Sequence, residues 1–338
     1  MSLRLTYGPW GETVSEQVAA AQAAEAAGFE TVWVSELHRS AFVPTAAIAA
    51  STQGVGVGTG IAWAFARSEM VTALHALDLD DLSDGRFVLG LGTGVKRLIE
   101  DWHNATFGKP VTHIKESVAL IRRIVATAHL GERIEVDGDW VRADIRNYER
   151  PFPPRREAIP IYIASVGPLM TRTAGEIGDG WLAHELGSPS YLQNEVLPNL
   201  LEGIERAGRQ PGDVDRVVSA CCVPHEDGAQ AKRWAAGLVA FYASVRTYTD
   251  FFAYHGFEAE ARTIQDRFRA GDVDGMVDAT TDDMVDTFTF AGTFDEVRAG
   301  LERYEGLADS IKLTPPTHFV DPDVTRSAQD NILELFGT

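Results

Sequence analysis

The feature that most constrains this chain is an alternation repeated eight times, in which a short β-rich run is followed by a longer run of helical periodicity. That order builds parallel strands joined by helical crossovers. The strand candidates are "RLTYG" (4–8), "TVWVS" (31–35), "VGVGTGI" (55–61), "RFVLGLG" (86–92), "PIYIAS" (160–165), "DGWLAH" (179–184), "VVSACCV" (217–223) and "SIKLT" (310–314). Most are nearly continuous apolar runs, as strands covered on both faces require. The pattern predicts an α/β fold, a single (β/α)8 TIM barrel over 1–338 with insertions after strands 4 and 7.

Helix signals fall between the strands. "TVSEQVAAAQAAEAAG" opens with a capping box, Thr13 with Glu16, carries Val14 and Val18 on one face and ends at Gly28. "SEMVTALHALDLDDLSDG" places Met70, Leu74, Leu77 and Leu82 on one stripe and stops at Gly85. Ser188 before Pro189, and Thr293 with Glu296, mark two further helix starts. Within the connection after strand 4, "GERIEVDGDWVRAD" reads as a hairpin turning at Asp137-Gly138. After strand 7, a helical insertion of about 243–284 is rich in aromatic residues. Additions of this kind usually lie over the C-terminal face of a barrel.

Composition narrows the function. Net charge is -19, which repels phosphate backbones and anionic membranes and disfavours nucleic-acid or membrane partners. The two cysteines, Cys221 and Cys222, are adjacent, so neither a zinc site nor a disulfide framework is expected. The start lacks a signal-peptide apolar region and no apolar run spans a bilayer, so a reduced, cytoplasmic setting is expected.

Barrel active sites gather where strands end. Those ends are Ser35-Glu36-Leu37-His38, Gly60-Ile61-Ala62-Trp63, Gly92-Thr93-Gly94-Val95-Lys96, Ser165-Val166-Gly167-Pro168 and His184-Glu185. Gly167 lets backbone amides converge and Pro168 opens a helix, an arrangement suited to phosphate; a tight turn capped by Ser165 explains it equally well. Dinucleotide spacing fails, because Val95 and Trp63 stand where the third glycine of G-x-G-x-x-G belongs. The nine histidines are scattered singly, so no metal site is expected, and no Walker lysine, G-x-S-x-G elbow or H-E-x-x-H helix occurs. What remains is a glycine-rich end of strands 3 and 4 flanked by Trp63, Phe65, Trp33 and Trp10, beside a possible phosphate cradle. A flat aromatic cofactor with a phosphate tail fits such a place.

At these residues, and over "GFETVWVSE", "VGVGTGIAWAFARSEMVTALHALDLDDLSDGRFVLGLGTGVK", "IPIYIASVGPLMTRTAGEIGDGWLAH" and "AGTFDEVRAGLERYEGLAD", the chain resembles the bacterial luciferase-like superfamily. The branch it is most similar to is that of coenzyme F420-dependent oxidoreductases. The resemblance implies a bulge with a non-prolyl cis peptide at Gly60-Ile61, supporting the cofactor ring beside Ala62. It also assigns the Ser165, Val166 and Gly167 amides to the cofactor phosphate, and Glu36, Thr93 and Gly94 to the pocket wall. Trp10 and Trp63 would then face an apolar substrate. The family's histidine after strand 2 directly follows an acid, whereas here Leu37 follows Glu36 and His38 stands one place on. His38 is the leading candidate for the proton partner and His184 the reserve. Val95 occupies the place of the glutamate of deazaflavin sugar-phosphate dehydrogenases, which disfavours that substrate class.

The resemblance therefore implies hydride transfer between coenzyme F420 and a small organic substrate in a homodimer. The alternatives are a reduced-FMN monooxygenase served by a separate flavin reductase, and a cofactor-binding barrel without turnover.

Overall fold

The computed structural model describes residues 3–337. Eight parallel strands form its centre: β1 (Arg4–Tyr7), β2 (Thr31–Val34), β3 (Gly56–Thr59), β4 (Phe87–Gly92), β5 (Ile161–Ala164), β6 (Gly180–Leu182), β7 (Asp215–Pro224) and β8 (Ser310–Thr314). Each pairs with the next, and β8 returns to β1 in the register Arg4↔Ser310 to Tyr7↔Leu313. The sheet closes, and the barrel predicted from the alternation is the fold.

Alternation along the strands sends one set of side chains inward. At the N-terminal end, Arg4 bonds Glu30 at 2.7 Å and also pairs with Asp215, to which the Tyr162 hydroxyl donates at 2.8 Å. Above this polar plug, Trp33, Leu182 and Val217 are buried with Tyr162, Val88 and Ala164 against them. The outward set meets the helices in a continuous core that includes Tyr7, Val32, Val57, Leu89, Leu91 and Ile163.

The helices that matter for the site are α1 (Val14–Ala26), α2 (Phe42–Ser51), α3 (Glu69–Leu82), α4 (Pro110–Thr127), α5 (Pro168–Ile177), α6 (Leu197–Arg206) and α7 (Gly228–Ser244) between successive strands, and α8 (Pro322–Phe336) after the last. Thr13 caps α1 by accepting from Glu16 N, and Gly28, at φ +86°, leaves it in the left-handed region. The buried face of α1 is Ala20, Ala21 and Ala24 rather than Val14 and Val18. In α3 the buried residues include Ala73, Ala76 and Leu77, while Leu82 is 47% exposed. Small residues let both helices approach the barrel closely, so the large apolar side chains flank the contact.

The predicted hairpin is present as antiparallel strands Ile134–Asp137 and Arg142–Ile145. After α7, helices Thr249–Tyr254, Glu258–Arg269, Val273–Asp278 and Asp282–Phe288 pack on it around Val239, Phe252, Ile264, Met284 and Phe288. A short strand that the sequence pattern did not reveal, Phe290–Gly292, then pairs in parallel with Cys222–Pro224. Three residues are too few to display a period.

Cys221 and Cys222 are free and buried, and burial pushes both thiols up. Among the described residues no helix is long and apolar enough to cross a membrane. Nor do three or more His, Cys, Asp or Glu side chains there cluster to hold a metal ion.

Candidate active site

The C-terminal mouth of the barrel has two walls of different chemistry. The first is built at the end of β3. Gly58 pairs with Val88 and, after the Gly60–Ile61 peptide, a two-residue strand pairs Ala62 with Leu91. Four residues thus advance on one side against three on the other, which is a bulge. The Gly60–Ile61 peptide is cis.

Glycine explains why the backbone fits here. A Cβ on Gly58 would lie 2.5 Å from the Trp33 ring and one on Gly60 2.9 Å from Trp33 Cβ, so the indole lies across both. A Cβ on Gly92 would lie 2.1 Å from Ile61 Cδ1 and 3.5 Å from Ala164 Cβ. The Ile61 side chain therefore fills the space that Gly92 leaves over β4 and β5.

Glu36 fixes this wall from below. Its amide donates to Ile61 O at 3.0 Å, its carboxylate accepts from Trp63 N at 2.8 Å, and Arg67 pairs with the same carboxylate. Beyond it, Gly94 takes φ +66°, and Trp63 meets His103 edge-on at 5.2 Å.

At the end of β5, Ser165 is buried; its hydroxyl contacts Thr171 Oγ1 at 2.9 Å and accepts from Trp181 Nε1 at 2.7 Å. The N-cap residue of α5 is Gly167, which offers no side-chain cap. A Cβ there would meet nothing within 4 Å. The amides of Val166, Gly167, Leu169 and Met170 have no partner among the described residues, since the first bond of α5 runs from Thr171 N to Gly167 O. Unpaired amides at the positive end of a helix form an anion cradle.

The opposite wall comes from β6, β8 and the insertion. His184 Nδ1 accepts from Leu186 N at 3.2 Å, so the neutral ring carries its proton on Nε2, which lies 2.9 Å from the Tyr248 hydroxyl. Burial holds the imidazole down to about 4, a neutral ring at physiological pH. The Tyr242 hydroxyl donates to Glu185 at 3.3 Å and its ring meets His184 edge-on at 4.6 Å. His318 stacks obliquely on Phe241 at 4.5 Å, and burial lowers its pKa. Lys312, buried on β8, donates to Gly60 O at 3.4 Å and so links the two walls. Burial lowers its pKa, and the negative charge of Glu185 opposes that.

The luciferase-like monooxygenase family model matches residues 2–310. The chain belongs to that family.

Similar proteins include the 5,10-methylenetetrahydromethanopterin reductase of Methanolobus tindarius, 30% identical over 283 residues that cover 82% of this chain and 83% of the relative. The structure of a coenzyme F420-dependent tetrahydromethanopterin reductase from Methanopyrus kandleri superposes with TM-score 0.83 at 22% identity, covering 100% of this chain and 97% of that one. The oxygenating constituent of 3,6-diketocamphane monooxygenase from Pseudomonas putida, solved with FMN, superposes with TM-score 0.70 at 18% identity, covering 100% and 98%. Both structural likenesses concern the fold. As a member of the luciferase-like family the chain is an enzyme.

The residues expected of such a member divide between the two walls. Gly60, Ile61, Ala62, Thr93 and Gly94 lie together on the glycine-rich wall, with Trp63 buried behind them. Ser165, Val166 and Gly167 stand at the neighbouring β5 exit, where the Val166 and Gly167 amides are free; the Ser165 amide, expected to join them, donates to Leu182 O at 3.4 Å instead, and its hydroxyl is bonded as well. Glu36 spends its carboxylate on Trp63 N and Arg67. Trp10 donates its amide to Gln329 at 3.1 Å and lies under the Arg326 guanidinium, against α8. His38 is exposed on the loop after β2 and makes no side-chain hydrogen bond among the described residues. His184 is enclosed on the far wall.

Sequence reasoning missed Lys312, Tyr242, Tyr248 and His318 as members of the site. One signal was available: Lys312 interrupts an apolar strand that must be covered on both faces. Tyr248 lies in the insertion expected over the C-terminal face and Tyr242 on α7 just before it, but no sequence pattern singles out either residue.

Proposed function

We propose that this enzyme binds coenzyme F420 and exchanges hydride between it and a small organic substrate. One juxtaposition carries the reading. A shelf of backbone and Ile61, kept free of other side chains by Gly60 and Gly92, adjoins a helix N-terminus whose first-turn amides are unpaired. A planar ring with an anionic tail fits that pair of features, and the open space at Gly167 leaves room for the tail. Gly60, Ile61, Ala62, Thr93 and Gly94 would hold the ring, and the amides of Val166 and Gly167 the phosphate.

When bound, the deazaflavin supplies the two-electron redox chemistry; the protein supplies position, dryness and protons. The family relative named as a methylenetetrahydromethanopterin reductase supports a reductase rather than an oxygenase. The far wall suits a neutral, largely apolar substrate. Its one cation, Lys312, is turned to Gly60 O, and its rings are Tyr242, Tyr248, His184, Phe241 and His318.

The test is a titration of the purified protein with F420 and, separately, with FMN, followed by fluorescence quenching. Micromolar binding of F420, with FMN at least tenfold weaker, is expected. Binding of FMN alone would replace this reading with that of a reduced-FMN monooxygenase, and binding of neither would remove both.

A further inference from the structure

On the far wall one hydroxyl proton, that of Tyr248, is left without an acceptor among the described residues. Leu186 N donates to His184 Nδ1, which places the ring proton on Nε2 and makes His184 the donor to Tyr248 Oη at 2.9 Å. The Tyr248 oxygen is thus an acceptor in that bond, and its own O–H has no partner among the described residues. Tyr242 differs, because its O–H is already given to Glu185. His184, two residues after the inward-facing Leu182, projects on the same face at the barrel mouth, so Tyr248 stands above the opening.

We propose that Tyr248 is the catalytic acid of this enzyme, with His184 as its positioning residue, and that the site takes a small neutral ketone whose carbonyl oxygen accepts the free Tyr248 O–H. This rests on the F420-dependent reading above.

The proton balance is direct. When the carbonyl carbon gains hydride from the reduced deazaflavin, the two-electron donor that is oxidised in the step, the π pair moves to oxygen and that oxygen needs one proton. Tyr248 gives it, the phenolate keeps the Nε2–H bond of His184, and solvent returns the proton.

The electrostatics agree with these roles. Burial and the nearby Glu185 charge push the Tyr248 phenol up to about 12, so it stays protonated in neutral solution. His184, held down to about 4 by burial, stays a neutral donor rather than a competing acid. A donor among rings, with Glu185 bonded to Tyr242 and Lys312 turned to Gly60, recognises a neutral acceptor flanked by apolar groups.

The experiment measures cyclohexanone binding to the F420-loaded protein by saturation-transfer NMR, in wild type, Tyr248→Phe and His184→Phe. F420 fluorescence quenching and the thermal midpoint are recorded in parallel. The expected result is a Kd for cyclohexanone at least tenfold weaker in Tyr248→Phe, with F420 affinity within twofold and an unchanged midpoint. His184→Phe is expected to raise the Tyr248 ionisation, read as tyrosinate absorbance by difference from Tyr248→Phe, by about one pH unit. Equal ketone affinity in wild type and Tyr248→Phe would overturn the proposal. So would a wild type that quenches F420 but binds no ketone. A wild type that fails to quench F420 would overturn the cofactor reading beneath it.

Discussion

Gly90 shows how little tolerance the barrel interior has. A Cβ there would lie 1.9 Å from Thr59 O and 2.9 Å from Leu182 Cδ1, in the stretch where the Thr59 hydroxyl donates to Gly90 O at 2.7 Å. Gly90→Ala should therefore destabilise the fold by roughly 1–3 kcal/mol or more, as overpacking does, and lower the thermal midpoint by several degrees. Gly167→Ala, with open space around it and an ordinary φ of -93°, should leave the midpoint unchanged while weakening F420 binding. Calorimetry on the two variants checks the contrast. His184 makes a separate prediction. Its folded value of about 4 lies below the ordinary 6.5, so between those values the unfolded chain binds the extra proton. Its contribution to stability is thus complete above the unfolded value and is lost as pH falls through that window, on the order of 3 kcal/mol in full. His255, lowered by burial in the same direction, adds its own slope. Urea midpoints measured from pH 7 to pH 4 should fall less steeply in His184→Asn than in wild type. Parallel curves would contradict the assignment.

At the scale of elements, the end of β3 depends on a loop from β2. Glu36 accepts from Trp63 N, pairs with Arg67 and donates its own amide to Ile61 O, so one residue ties together both sides of the bulge. Glu36→Ala leaves the buried Trp63 amide and the Arg67 guanidinium without their carboxylate, a loss of about 1–3 kcal/mol. F420 affinity should fall at least tenfold in quenching titrations, with a smaller change in Glu36→Gln. Much of this was legible in the sequence, because three glycines in "VGVGTG" and the small residues of β4 required a close approach of backbone and rings. The packing faces of the helices were less so. Val14 and Val18 on α1, and Leu82 on α3, follow helical periodicity, yet alanines make the contact, since a hydrophobicity pattern does not register which helix must approach most closely. Strand Phe290–Gly292 was hidden by its length, and no sequence pattern singled out Tyr248 within its insertion.

Over the whole molecule, eight strand–helix units closed the barrel, and the polar plug of Arg4, Asp215, Glu30 and Tyr162 seals its N-terminal end. Tyr162→Phe removes the hydroxyl bonded to half-buried Asp215 and should lower the urea midpoint, with the catalytic mouth and F420 affinity unaffected. The two ends of the barrel thus separate stability from function, as the fold leads one to expect. The repeating pattern made the ring legible because every strand is covered on both faces. The far wall was not, because Lys312, His184 and Tyr248 belong to three distant segments joined only by closure. The most direct test of the whole account is a crystal structure of the protein with F420 bound. The deazaflavin ring should lie against Ile61 and Gly60, with its phosphate on the amides of Val166 and Gly167. A ring seated elsewhere in the mouth, or a phosphate away from the start of α5, would contradict it.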